Sequence, residues 1–153
     1  MKPLRFESEI GISPEAFWAM PLMPQVNREL RPLAAMTYPP SLRDATLADC
    51  PLGVDLFTSV ILLFGLIPAD LHKLHLAEAD ALGFDERSTS TMNRLWRHQR
   101  RLDATPRGAR ISDTLEIHGR LPPITTLLMP IYKAIFRHRH AQLRQQFPLG
   151  GGA

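Results

Sequence analysis

One cysteine, Cys50, stands in 153 residues, so no intrachain disulfide can form and a reducing compartment fits the composition. Cys50 sits beside Pro51 with no base close in sequence, which reads as a packing or loop thiol and not as a nucleophile. No apolar run is long enough to span a bilayer. The longest, Val54 to Ile67, contains Asp55 and is closed by Pro68. The first residues, Met1-Lys2-Pro3-Leu4-Arg5-Phe6-Glu7, carry charge where an export signal would carry its apolar region, and a cytoplasmic location is expected. The chain has no glycine-rich phosphate loop, no Gly-x-Ser-x-Gly elbow and no Cys/His cluster, so nothing in it asks for a nucleotide, a cofactor or a metal. His72 and His75 are three apart, and on a strand that spacing puts them on opposite faces.

What is present is the material of one globular domain: 44% hydrophobic and 22% charged residues, with a net charge of +3. Much of the arginine falls in two stretches, Arg94 to Arg110 and Arg137 to Arg144. Such stretches can bind phosphates, but no helix-turn-helix, zinc-finger or RNA-recognition pattern accompanies them, and a solvated face is the expected reading. Residues 3–12 alternate as a half-buried strand. Ser13-Pro14-Glu15 then gives a helix start with a serine cap, a proline in the first turn and an acid behind it. A second short helix fits Pro24 to Arg31, and Ala34 to Tyr38 fits a strand. Val54 to Leu66 reads as a strand with two apolar faces, followed by strands at Leu71–Ala79, Phe84–Met92, Leu95–Ala104 and Arg110–Arg120. Thr105-Pro106-Arg107-Gly108 joins the last two as a hairpin. From residue 124 to 147, Leu128, Tyr132, Ile135, Phe136, Leu143 and Phe147 recur at helical spacing, with Pro130 requiring a late start or a kink. Residues 149–153 form a glycine-rich tail after a single domain over 1–148. Strands joined by hairpins, with helices kept apart, imply an α+β fold with an antiparallel sheet. A long amphipathic helix closing a curved sheet encloses an apolar cavity, a common kind of small-molecule site.

This order resembles the START-like (SRPBCC, helix-grip, Bet v 1-like, polyketide cyclase-like) superfamily over nearly the whole chain. The resemblance is carried by Ser13-Pro14-Glu15 with Phe17-Trp18, by Val26-Asn27-Arg28-Glu29-Leu30, by Trp96-Arg97-His98-Gln99-Arg100-Arg101, by Ser112-Asp113-Thr114-Leu115 and by Phe136-Arg137-His138-Arg139-His140 with Leu143. It implies a small ligand-binding protein of bacterial type in a fold that hosts lipid carriers, receptors and cyclases. The chain is shorter than the lipid-transfer members, and no fixed catalytic set of the cyclase branch carries over.

Within that frame Trp96, His98, Arg100 and Leu102 share one strand face, and Ile111, Asp113, Leu115 and Ile117 share another. The hairpin places Asp113 opposite Arg100 or His98, depending on register, either as an acid–base or ligand-orienting group or as a structural ion pair. On the long helix Arg139 falls in the stripe of Leu128, Tyr132, Ile135 and Leu143. A guanidinium there needs a partner: a carboxylate, with Asp113 and Glu86 as candidates, backbone carbonyls, or the anionic group of a ligand. The expected ligand site is therefore Trp96, His98, Arg100, Asp113, Leu115, Leu128, Tyr132, Ile135 and Arg139. The bound molecule would be small, hydrophobic and possibly anionic. The alternatives are a cyclase or dehydratase using His98, Asp113 and Arg100, and an interaction module using the arginines. Phe57, Ile61 and Leu63 are expected on an outer face of the two-faced strand, where a homodimer would cover them unless part of Ile61 to Leu71 leaves the sheet as a lid.

Overall fold

The computed structural model describes residues 2–150. Strand β1 (Leu4–Ile10) leads into two short helices, α1 (Pro14–Trp18) and α2 (Leu22–Leu30). Six more strands follow: β2 (Ala34–Met36), β3 (Asp55–Leu63), β4 (Ile67–Ala79), β5 (Gly83–Ser90), β6 (Asn93–Thr105) and β7 (Gly108–Gly119). The long helix α3 (Pro122–Gln146) completes the helix-grip α+β arrangement. The sheet is antiparallel, in the order β1-β7-β6-β5-β4-β3-β2. The chain thus climbs from β2 to β7 by neighbouring strands, and β1 closes on β7.

Local chemistry explains the short elements. The Ser13 hydroxyl accepts the Ala16 amide at 3.2 Å and Pro14 opens α1. Asn27 ties α2 to the sheet edge, its amide donating to the Met36 carbonyl at 2.9 Å and its oxygen accepting the Met36 N–H at 2.8 Å. Helix α3 begins at Pro122, two residues before the expected start, because proline in the first turn loses no hydrogen bond. It runs on through Pro130. The expected strand Val54–Leu66 stops at Leu63. Phe64 and Gly65 take positive φ of 54° and 72° and turn the chain, so β4 begins at Ile67 and that segment stays in the sheet.

The proposed outer face of β3 is an inner one. Ile61 and Leu63 line the cavity described below, and Phe57 packs at a small pocket with Leu42, Cys50 and Leu56, so these three side chains are not available to a partner as an outer face. Residues 149–153, expected as a tail, lie in part outside the described residues.

Three strata run along the long axis of the sheet. At the pole holding the β6–β7 turn, Ile10, Phe17, Leu102, Ala109, Ile111 and Leu143 form a core with Trp18 and Phe147 packed on it. Across the middle runs a belt of buried charge. Beyond the belt, toward the first turns of α3, the interior is hollow.

Candidate functional site

The β6–β7 register pairs Arg100 with Asp113 directly, and His98 with Leu115. Arg100 donates from Nε to Asp113 Oδ1 and from Nη2 to Oδ2, both at 2.8 Å, and from its other edge to both oxygens of Glu29 at 2.8 Å. Asp113 also accepts from His98 Nε2 at 2.7 Å and His140 Nε2 at 2.8 Å. Its four acceptor positions are filled. Glu29 accepts Arg139 Nε at 3.0 Å and the Gln25 amide at 3.0 Å. Glu29 and Asp113 are both fully buried. Burial opposes their ionisation, but Arg100 in both cases, with Arg139 at Glu29 and His98 at Asp113, more than offsets it and holds both carboxyls below their usual range. The same two anions raise the Arg100 guanidinium above its ordinary value against its burial.

Arg139 therefore meets Glu29, neither of the two carboxylates expected from the sequence. Glu29 was legible in principle. On α2, Leu22, Val26 and Leu30 form an apolar stripe, and Glu29 borders it, about 20° from Leu22 at 100° per residue. The same periodicity puts His140 on the inner side of α3 with Phe136 and Leu143. It is held between Asp113 and the Ser8 hydroxyl at 2.7 Å, and Arg144 donates to that hydroxyl at 2.8 Å.

A second cluster lies one strand further on. Glu86 Oε2 accepts from His72 Nε2 at 2.7 Å and from the Ser88 hydroxyl at 2.6 Å. Glu86 Oε1 has only His98 Nδ1 near it, at 3.7 Å, beyond hydrogen-bond reach. Burial again opposes ionisation of Glu86, and His72 with His98 overcomes it, so that the carboxyl is held well below its usual range. His72 loses to burial but gains more from Glu86 and Asp70, and its pKa is raised. His75 points the other way and pairs with Asp55 at 3.0 Å, as the strand alternation requires.

The hollow above these groups has a volume of about 280 Å³. Its walls are mostly apolar, from Val26 and Leu30 on α2, Ile61 and Leu63 on β3, Leu74 and Leu76 on β4, and Leu128, Ile131, Ile135 and Phe136 on α3. Its polar lining is Asp70, His72, Glu86, Asn93, Trp96, His98, Tyr132 and Arg139. Of the expected site residues, Trp96, His98, Leu128, Tyr132, Ile135 and Arg139 are brought together here. Arg100, Asp113 and Leu115 are not among the lining residues; they are buried beneath them. Of the three candidate acid–base residues only His98 reaches the hollow. Phe136 forms the floor, against Phe6 at 5.7 Å, His98 at 5.1 Å and the Arg139 guanidinium at 4.9 Å.

Several lining groups have spare hydrogen-bonding capacity. Asn93 donates to the Tyr132 hydroxyl at 3.2 Å, leaving the tyrosine proton free. The Trp96 ring stands edge-on to Tyr132 at 5.2 Å. Among the described residues nothing accepts its indole N–H, and nothing donates to Glu86 Oε1. No group of three His, Cys, Asp or Glu side chains among the described residues is arranged to hold a metal ion. Part of each arginine stretch is spent on internal or local partners. Arg100 and Arg139 are buried, Arg97 pairs with Asp85 at 3.1 Å and Arg101 with Asp103 at 3.1 Å.

A family model described as Domain of unknown function (DUF8410) matches residues 8–147. Comparison with curated proteins finds no match. Among solved structures, protein Ms6760 from Mycobacterium smegmatis superposes with a TM-score of 0.64 at 11% identity, over 94% of this chain and 89% of that one. Protein CV1439 from Chromobacterium violaceum gives 0.62 at 14% identity, over 92% and 96%. Ara h 8.0201 gives 0.55 at 13% identity, over 94% and 98%. At these identities the likeness concerns the fold, which is START-like.

Proposed function

The chain belongs to the DUF8410 family, a domain of unknown function, so its role has to be read from its own site, and we propose that it is a cytoplasmic protein whose one domain, residues 1–148, binds a small, neutral, mostly apolar molecule carrying a hydroxyl or similar hydrogen-bond donor. The observation that carries this reading is the hollow between sheet and α3, at the small end of the range for ligand pockets. Its size argues against a sterol or a phospholipid. The neutral character follows from the charges beneath it. Glu29 and Asp113 engage Arg100 and Arg139, and Glu86 engages His72, so each of these inner cationic side chains already has a carboxylate partner and none is left over for an anionic ligand. The free oxygen of Glu86 would repel a carboxylate and accept a hydroxyl. Trp96 and Tyr132 offer donors to a second oxygen on the ligand.

This revises the idea that Arg139 anchors an anion. The test is a matched pair of ligands, a naphthol and the corresponding naphthoate, titrated against the quenching of Trp96 with Trp96→Phe as control. The naphthol should bind about tenfold more tightly, the difference expected for a hydrogen bond to a charged group, and Glu86→Gln should narrow the gap. Equal or tighter binding of the naphthoate would overturn the neutral reading. Native mass spectrometry of protein from its own host would identify the molecule carried. A second reading, a cyclase or dehydratase, draws on one observation: His98 reaches the hollow while bonded to the buried Asp113. It narrows the proton-transfer groups to His98 and Glu86, since Asp113 and Arg100 have no free position there. Turnover of a ketone substrate that disappears in His98→Asn would favour it.

A further inference from the structure

The antiparallel order of the sheet brings the β3–β4 turn, the β5–β6 turn and the β7–α3 junction to one pole. Leu63 pairs with Ile67, His72 with Ser90, and Asn93 with Gly119, and the Arg120 N–H donates to the Met92 carbonyl at 3.0 Å. Helix α3 starts at this pole and, from Leu121 to Tyr132, contains no charged residue. Of the large apolar side chains exposed among the described residues, all but Leu52 and Val54 lie here. The most exposed are Leu66 at 81%, Leu127 at 74% and Phe64 at 65%. The hollow opens at the same place, because Ile131 and Met92 both line it and are 49% and 38% exposed. A soluble monomer rarely leaves so large an apolar surface uncovered without a partner.

Charge selects the partner. Arg94 and Arg120 are exposed beside Met92, Arg120 donating from Nε to the Ser90 carbonyl at 3.0 Å, and Lys73 is exposed two residues beyond Leu71, whereas Asp70, the carboxylate next to Leu71, is engaged with the Met92 N–H at 3.2 Å. Two copies of this face would bring like charges together, whereas an anionic surface would be attracted. No helix among the described residues is long and apolar enough to cross a membrane, so contact would be at the surface. We infer that this pole is a docking face for an anionic lipid surface, with Leu66, Leu127 and Phe64 entering the interfacial layer and the arginines resting on the headgroups. The hollow then opens toward the phase in which an apolar ligand is concentrated. The docking itself does not depend on what the hollow holds.

Co-sedimentation of the full chain with phosphatidylcholine vesicles, with and without phosphatidylglycerol, tests this. The protein should sediment with the anionic vesicles and release at high salt. Leu127→Asp or Leu66→Asp should reduce partitioning about tenfold or more, the loss of one buried leucine, and Arg94→Gln about fivefold. These side chains are exposed, and an unchanged circular-dichroism spectrum and melting temperature would show that the variants fold. Absence of sedimentation with either vesicle would overturn the inference. So would a stable dimer in light scattering that Leu127→Asp dissociates, because the face would then serve a second copy. Vesicle binding without naphthol binding would sustain this inference while defeating the ligand reading, and the converse would do the opposite.

Discussion

Glu86 shows how much of the site rests on single groups. Burial opposes ionisation of its carboxylate, but His72, 2.7 Å away, and His98 favour the charged form and hold its pKa well below the usual range, and Glu86 in turn raises that of His72. The two shifts act on stability at opposite ends of the pH scale. His72 has a folded pKa above its ordinary 6.5, so its contribution is complete below that value and is lost as pH rises through the folded one. Glu86 and Glu29, depressed below their ordinary 4.5, contribute fully above that value, and this is lost as pH falls through their folded pKa values. The network should therefore be most stabilising between about pH 5 and 6.5. Urea midpoints measured at pH 5.5 and pH 8 should show lower stability at the higher pH, and His72→Gln should flatten that difference. A wild-type midpoint that is the same at both would show that His72 is not protonated in the folded state. At this scale the sequence was half readable. Strand alternation separated His72 from His75 and put Glu86 inside. Which histidine met which carboxylate depended on the β4–β5 register, with its bulge between Leu76 and Glu78, and no local pattern encodes that.

Among elements, the joint that matters lies between α2, the sheet and α3. One carboxylate, Glu29 on α2, receives Arg100 from β6 and Arg139 from α3, so three elements meet on two oxygen atoms. Glu29→Ala would leave two buried guanidinium groups short of a partner and should cost about 3–5 kcal/mol in denaturant unfolding. Arg139→Met removes a charge from the same cluster, and should lower the melting temperature while changing naphthol affinity by no more than about twofold. A large loss of affinity with unchanged melting would restore Arg139 as a ligand anchor. The long helix, the hairpin and the serine cap were all visible as periodicity or turn chemistry, because those signals are local. That the helix would need a partner for Arg139 was visible too. That the partner sits on α2 was not, since α2 and α3 are more than ninety residues apart in sequence. The two-faced strand misled for a related reason. An apolar residue facing a hollow looks in sequence like one facing a second subunit.

For the molecule as a whole, the charged belt divides a packed pole from a hollow one, and the two should differ in how readily they open. Around Leu102, Ile111 and Leu143 the side chains have no exposed surface, and the Phe147 N–H and carbonyl tie the end of α3 to Leu143 and Gly11 at 2.9 and 2.8 Å. The first turns of α3 are less buried: Thr125 is buried, but Leu127 stands largely and Ile131 about half in solvent, and Pro130 withholds one helix hydrogen bond. Local opening follows this lack of buried contact. Hydrogen exchange should accordingly be faster over residues 122–131 and 34–36 than over 135–147 and the β6–β7 pair. A ligand in the hollow should slow the first group and leave the second unchanged, because only the hollow pole gains contacts. If α3 exchanged as one unit along its whole length, the belt would not be a boundary, and the helix would have to open from both poles together to admit a ligand.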